Sequence, residues 1–170
     1  NGNVSTCTAT VTVGDNVNPT ALCQDITVQL DAAGNASIVA AQVDGGSTDN
    51  CAVASLSVSP NTFDCSNIGA NTVTLTVTDV NGNVSTCTAN VTVEDNVDPV
   101  VICQDITVEL DANGEVNITG ADIDGGSTDN CDQNGLIITF DVTPEDFDCN
   151  NVGTNTVTLT ATVAYGNTSS

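Results

Sequence analysis

At 170 residues the chain has room for one or two small domains, and it carries 22 Asp and Glu with no Lys, Arg or His, a formal charge of −22. Without a cationic group to meet phosphate, nucleic-acid binding is excluded, and the Ser–His and Cys–His nucleophile pairs cannot be assembled. No enzyme is expected: paired carboxylates can in principle cleave glycosides, but 2% aromatic content offers no sugar platform. Self-repulsion of this size opposes the compact state, and divalent cations are the natural counter-charge; the alternative is a surface that simply stays solvated. A core of Val, Ile, Leu and Ala in a domain of about eighty residues is marginal. Eight cysteines, with no CxxC pair and no His, point to disulfides in an oxidising, extracellular setting and away from zinc. No apolar run is long enough to cross a membrane and no signal-peptide pattern appears, so the sequence reads as a mature or internal piece.

The sequence is a repeat. Cys7, Cys23 and Cys51 recur 80 residues on as Cys87, Cys103 and Cys131; Cys65 recurs 84 residues on as Cys149, which puts a four-residue insertion between Asp132 and Asp148. The predicted organisation is a terminal strand belonging to a preceding unit over 1–14, a complete repeat over 15–94, and a second repeat lacking its last strand over 95–170. In chain order, "STCTATVTV" is the leading strand, and the "GDNVNP" linker ends in Pro19, where a chain entering an edge strand tolerates proline. "DITVQL", "DAAG" and "NASIVA" predict a hairpin. "VDGGSTDN" should join the second and third strands. "TVTLTVT" at 72–78 alternates strictly, with Val73, Leu75 and Val77 on one face; "STCTANVTV" does the same with Cys87, Ala89, Val91 and Val93. The "EDNVDP" linker then opens the second copy, where "DITVEL", "DANG" and "EVNITG" repeat the hairpin. β-branched residues dominate and no helical period appears, so the prediction is all-β, with short strands at β-sandwich spacing.

"PTALCQDITV", "GGSTDNC" and "NTVTLTVTDVNGNVSTCTANVTV" resemble the hyalin-repeat (HYR) class of immunoglobulin-like domains, above all the tandem versions in very large surface and adhesin proteins of Bacteroidota. The resemblance covers nearly the whole chain. It implies tandem immunoglobulin-like β-sandwiches of about 80 residues each and an extracellular, adhesion-related or structural role. Two departures stand out: Asp79 is replaced by Val163 and Asn81 by Tyr165, and the closing "STC" strand is absent after "TATVAYGNTSS". Four cysteines per unit allow three connectivities. An immunoglobulin-like topology, with first and last strands side by side, favours Cys23–Cys87; Cys51–Cys65 and Cys131–Cys149 then follow. Cys7 and Cys103 are left over, as partners across a unit boundary or as free thiols.

In such a sandwich the linkers and the "DGGSTDN" and "TDVNGN" loops lie at the end where the chain enters. Asp15, Asp44, Asp49, Asp79, Asn81 and Asn83 are then candidate calcium ligands in the first copy. Asp95, Asp98, Asp124 and Asp129, with Glu94 of the same linker, are the set in the second. Calcium takes six to eight oxygens, and extracellular sites bind it at roughly 0.1–1 mM. Asp, Asn and Gly are equally ordinary turn residues, and no EF-hand spacing occurs. The outward threonines match ice-binding arrays in pattern but also any solvated strand face. N-x-S/T triplets at Asn3, Asn35, Asn83, Asn90, Asn117 and Asn167 matter only in a host that glycosylates them.

The expected function is an extracellular filament or adhesin stalk of end-to-end repeats, joined head to tail with copies of itself or continuous in one long covalent array. In the first case the leading strand completes the open sandwich of a neighbour. The alternative is a cell-surface module that recognises a glycan or protein through its loops.

Overall fold

The structure, a computed structural model, describes residues 2–132, 138–164 and 166–170. The chain is mostly β and forms several small sheets. Its residues group by contact into two units, the first from 1–26, 38–61 and 72–90, the second from 27–37, 62–71 and 91–170. The second unit therefore gathers residues of both sequence repeats.

In the four-stranded sheet the alternation of the threonine-rich segments is realised directly. β3 (Val53–Ser59) pairs antiparallel with β5 (Gly69–Asp79) from Ser59↔Thr74 to Val53↔Asp79, with a bulge between Val53 and Ser55. β6 (Val84–Glu94) lies on the other side of β5, and β1 (Ile26–Gln29) beyond it, giving the order β1-β6-β5-β3. Val73, Leu75, Val77 and Ala89 face inward and are buried, as period-2 patterning requires. The β5–β6 turn uses Gly82 at φ 92, a left-handed conformation open to glycine without a Cβ clash. Cys23 and Cys87 are joined, S–S 1.97 Å, the pairing favoured from the immunoglobulin-like topology.

In the second unit β2 (Asn35–Ser37) pairs with β4 (Thr62–Asp64), and β7 (Glu115–Asn117) pairs with β9 (Asp146–Asp148). β10 (Thr158–Thr162) lies between β8 (Thr139–Thr143) and the two-residue β11 (Thr168–Ser169). Ile118, Ile123, Val142 and Leu159 form its core, with Val101, Phe140, Phe147 and Val157 packed around them.

Three expectations change. Neither predicted hairpin forms. At Asp31–Gly34 the turn closes, with Ala33 and Asn35 N–H donating to Asp31 Oδ1 at 2.9 and 3.0 Å, but β1 runs beside β6 while β2 pairs with β4. Local turn chemistry is present, but the segments on either side of the turn pair with distant strands and not with each other. In the second copy 104–110 form no strand at all. The chain is also not purely β: α1 (Ala40–Val43) and α2 (Gly120–Ile123) are single turns, started where Gln42 Oε1 accepts from Val39 N–H and Asp122 Oδ2 from Thr119 N–H, at 2.8 and 2.7 Å. Third, Cys51–Cys65 and Cys131–Cys149 do not form. Cys65 is joined to Cys131, S–S 2.00 Å, with a Cα–Cα distance of 5.5 Å. The reason is the path of the chain: Cys65 Sγ lies 3.7 Å from the Asn130 carbonyl oxygen, and so meets the residue next to it. Cys7, Cys51, Cys103 and Cys149 are free and exposed. Part of the insertion, 133–137, and the substituted Tyr165 lie outside the described residues.

Candidate metal centres and an open groove

Each copy of the linker-plus-"STDNC" pattern draws an acidic cluster together. In the first unit, Asp15, Asp49 and Cys51 place potential ligand atoms within 4.8 Å of one another. Asn50 Nδ2 and Asn81 Nδ2 donate to Asp15 Oδ2 at 3.3 and 3.1 Å. Asn83 Nδ2 ties the linker down through the carbonyls of Asp15 and Val17, at 3.3 and 3.1 Å. Asp49 Oδ2 accepts from Cys51 N–H, leaving Asp49 Oδ1 buried and unpartnered. The Val17 N–H, with help from the Cys51 thiol, holds the Asp15 carboxyl below its usual range. That hydrogen bond to Asp15, with burial and the surrounding carboxylates, pushes the Cys51 thiol up, so it is no ready thiolate ligand.

In the second unit, Asp95, Asp129 and Cys131 form the corresponding group. Asn130 Nδ2 donates to Asp95 Oδ1 at 3.1 Å, and Asn167 Nδ2 to the carbonyls of Asp95 and Val97 at 3.0 and 2.9 Å. Asn130 Nδ2 also donates to the Asp31 carbonyl at 3.1 Å. Here Cys131 is in a disulfide and is not a ligand. Asp95, 5% exposed, keeps an unpartnered Oδ2; Asp129 Oδ1 and Asn130 Oδ1 are buried and unpartnered as well. Burial first, then the charges of Asp95 and Asp132, pushes the Asp129 carboxyl up. Buried carboxylates with open oxygens and no cationic side chain anywhere in the sequence make a donor set that fits a hard metal ion.

The other candidate ligands do different work. Asp79 Oδ1 accepts from the N–H groups of Asn81 and Asn83, both at 2.8 Å, and its Oδ2 from Asn83 Nδ2 at 2.7 Å. Burial opposes its charge, but these bonds outweigh it and hold the carboxyl low. At the corresponding place in the second copy the Val163 N–H donates to the Asn167 carbonyl at 3.0 Å, as Asp79 N–H does to Asn83, without a carboxylate at that position. Asp44 and Asp124 cap turns through Ser47 and Ser127, each accepting the backbone N–H at 2.9 Å; the serine hydroxyl first, then that N–H, lowers each carboxyl. Glu94 accepts from Gln29 Nε2 at 2.7 Å, and Asp98 is exposed. Asn50 and Asn130 were not anticipated, although the recurrence of the whole "TDNC" word, and not of its Asp alone, was the available signal.

The second unit also contains a groove of about 860 Å³, lined by 103–110 and 151–157 together with Val116, Ile118, Ile123 and Phe147. One repeat earlier, the equivalents of these two segments are β1 and the start of β5, and β6 lies between them. Among the described residues, no helix is long and apolar enough to cross a membrane, and the two disulfides fit an oxidising compartment. Compared with protein-family models and with curated proteins, the chain matches none.

Proposed function

We propose that the chain is a structural component of an extracellular filament or adhesin stalk, built of end-to-end immunoglobulin-like sandwiches of hyalin-repeat type, 15–94 and 95–170, and stiffened by disulfides and calcium. One observation carries this reading: Cys65 of the first sequence repeat is bonded to Cys131 of the second, beside buried oxygens of Asp95 and Asp129. A flexible string of independent modules needs no covalent tie between successive repeats, whereas a stiff stalk does. Calcium suits the donor set because every open atom is a carboxylate or amide oxygen. The near-identity of the loops in both copies favours a stalk over a binder, which needs one variable tip. Electron microscopy of the native material with and without a chelator tests the reading. Thin, straight fibres that become flexible when calcium is removed are expected; compact monomers with tight glycan affinity and no fibres would overturn it.

A further inference from the structure

The filament reading leaves open what fills the groove of the second unit, and the first repeat supplies a template. There β6 turns Ala89, Val91 and Val93 into the core, and its Cys87 is bonded to Cys23. Residues 4–14 carry almost the same sequence, with Ala9, Val11 and Val13 at the inward positions and Cys7 at the place of Cys87. Yet they have no regular secondary structure, and Val11 and Val13 are 81% and 90% exposed. In the second unit the equivalent of Cys23 is the free Cys103, one of the residues lining the groove. β11 already pairs Thr168 and Ser169 with β10, as the first two residues of a β6-like strand, and Ser170 stands at the place of Thr86 and Thr6, so the rest of such a strand corresponds to residues 7–14.

We propose that residues 7–14 of a second copy of this chain occupy this groove as a donated strand, and that two disulfides then seal the junction, Cys103 to Cys7 and Cys149 to Cys51 of the second copy. The second bond follows from the same template. Cys65 lies 3.8 Å from the Gly34 carbonyl and is bonded to Cys131; Cys149 lies 3.8 Å from the Gly114 carbonyl and is free. The equivalent of Cys131 is Cys51, free and beside Asp15 and Asp49 as Cys131 is beside Asp95 and Asp129. Each repeat thus meets its successor in the way that Cys65 meets Cys131 within one chain. Each bond forms from two thiols with loss of two protons and two electrons. The oxidant is a small-molecule or protein disulfide, which is reduced to its two thiols by exchange. The contact is head to tail, with donor and acceptor at different places on the chain, so on the filament reading it repeats from copy to copy along a fibre.

The proposal rests on the filament reading and is separable from it. The full chain is produced in an oxidising compartment with calcium, then compared on non-reducing and reducing gels and by mapping of cystine-linked peptides. A ladder of multimers is expected that reduction collapses to the 17.1 kDa chain, with Cys7–Cys103 and Cys51–Cys149 peptides present. Val11→Asp with Val13→Asp, at exposed positions whose change leaves the fold intact, abolishes the ladder. Cys149→Ser keeps the Cys7–Cys103 link and loses only the other. The proposal falls if the double Asp variant assembles like the wild type, or if wild-type chains stay monomeric with Cys7 and Cys103 open to alkylation. It also falls if native material remains one large polypeptide after reduction, with Cys103 linked inside it. That last result leaves the stalk standing and replaces the donated strand by the chain's own continuation, whereas native material without fibres removes the stalk itself.

Discussion

The two acidic clusters are written in nearly the same words, "GDNVNP" and "EDNVDP" followed by "GGSTDNC", and they end in different states. Around Asp15 and Asp49 the neighbouring cysteine is free and exposed; around Asp95 and Asp129 it is buried in a disulfide, and Asn130 holds the Asp31 carbonyl. The difference lies outside both motifs. Asn130 and Cys131, the residues next to Asp129 in the chain, are held by Asp31 and Cys65 of the preceding sequence repeat. The same turn residues are thus more buried around Asp95 and Asp129, where the disulfide ties the preceding repeat to the motif.

Removing the closure should have the largest effect. The Cys65–Cys131 bond closes a separation of 66 residues, worth about 4 kcal/mol by loop entropy. In chains kept monomeric by Val11→Asp and Val13→Asp, replacing both cysteines with Ala should lower the stability measured by urea unfolding by about that amount. Cys51→Ala should change it by less than about 0.5 kcal/mol. Equal losses would show that the two clusters are not distinguished by their covalent backing.

Next in size is the metal. Calcium at a hundred times its dissociation constant should stabilise the chain by about 2.7 kcal/mol. Asp129→Asn should remove most of this, and Asp49→Asn, in the more exposed cluster, less. The sign without calcium is the sharper test. Asp129→Asn deletes a desolvated charge set against Asp95 and Asp132, so it should stabilise the chelated protein. Destabilisation in chelator would mean that the carboxylate acts as a hydrogen-bond acceptor and not as a ligand waiting for a cation.

Much of this was legible beforehand, and the boundary is physical. Strict alternation in Val73–Val77 and Ala89–Val93 fixes which faces are buried, because the strand period is set by the backbone itself. The Asp15–Asp49 and Asp95–Asp129 pairs followed from the repeated loops. What could not be read was which distant strand takes β1 or β2, and which cysteine meets Cys65. Spacing within a repeat makes Cys51 the near partner in sequence; the Asn130 carbonyl beside Cys65 Sγ makes Cys131 the near partner in space. Asp79 is different: its "DVNGN" context suits a ligand and a turn equally, and both its oxygens accept hydrogen bonds within the turn.

Two equivalent glycines probe the closure by steric means. Gly34 and Gly114 have φ 74 and 82, so Ala at either costs about 1 kcal/mol for the left-handed backbone. A Cβ at Gly34 would lie 2.7 Å from Cys65 Sγ and 2.9 Å from the Asn130 carbonyl oxygen, neither free to move. At Gly114 it meets Cys149 Sγ alone, at 2.8 Å, and an unbonded thiol can rotate away. Gly34→Ala should therefore cost about 1–2 kcal/mol more than Gly114→Ala in thermal or urea unfolding. Equal costs would mean that the contact of Gly34 with Asn130 is loose.

The smallest effect expected is in acid, and here the clusters should separate by sign. Asp129 has its carboxyl pushed above 3.8, so between 3.8 and its raised value the folded state binds the extra proton. Without calcium, its contribution to stability is present below 3.8 and is lost as the pH rises through that window. Asp15 is held below 3.8, so its contribution is present above 3.8 and is lost as the pH falls through its lowered value. Protons and calcium compete for the same oxygens, so on acidification the Asp95–Asp129 cluster should release calcium at a higher pH than the Asp15–Asp49 cluster. Carboxyl carbon shifts in NMR, followed through an acid titration with and without calcium, resolve the two residues individually. If Asp129 titrates below Asp15 in chelator, then burial against Asp95 does not govern the second cluster, and its open oxygens are already satisfied by something other than a metal.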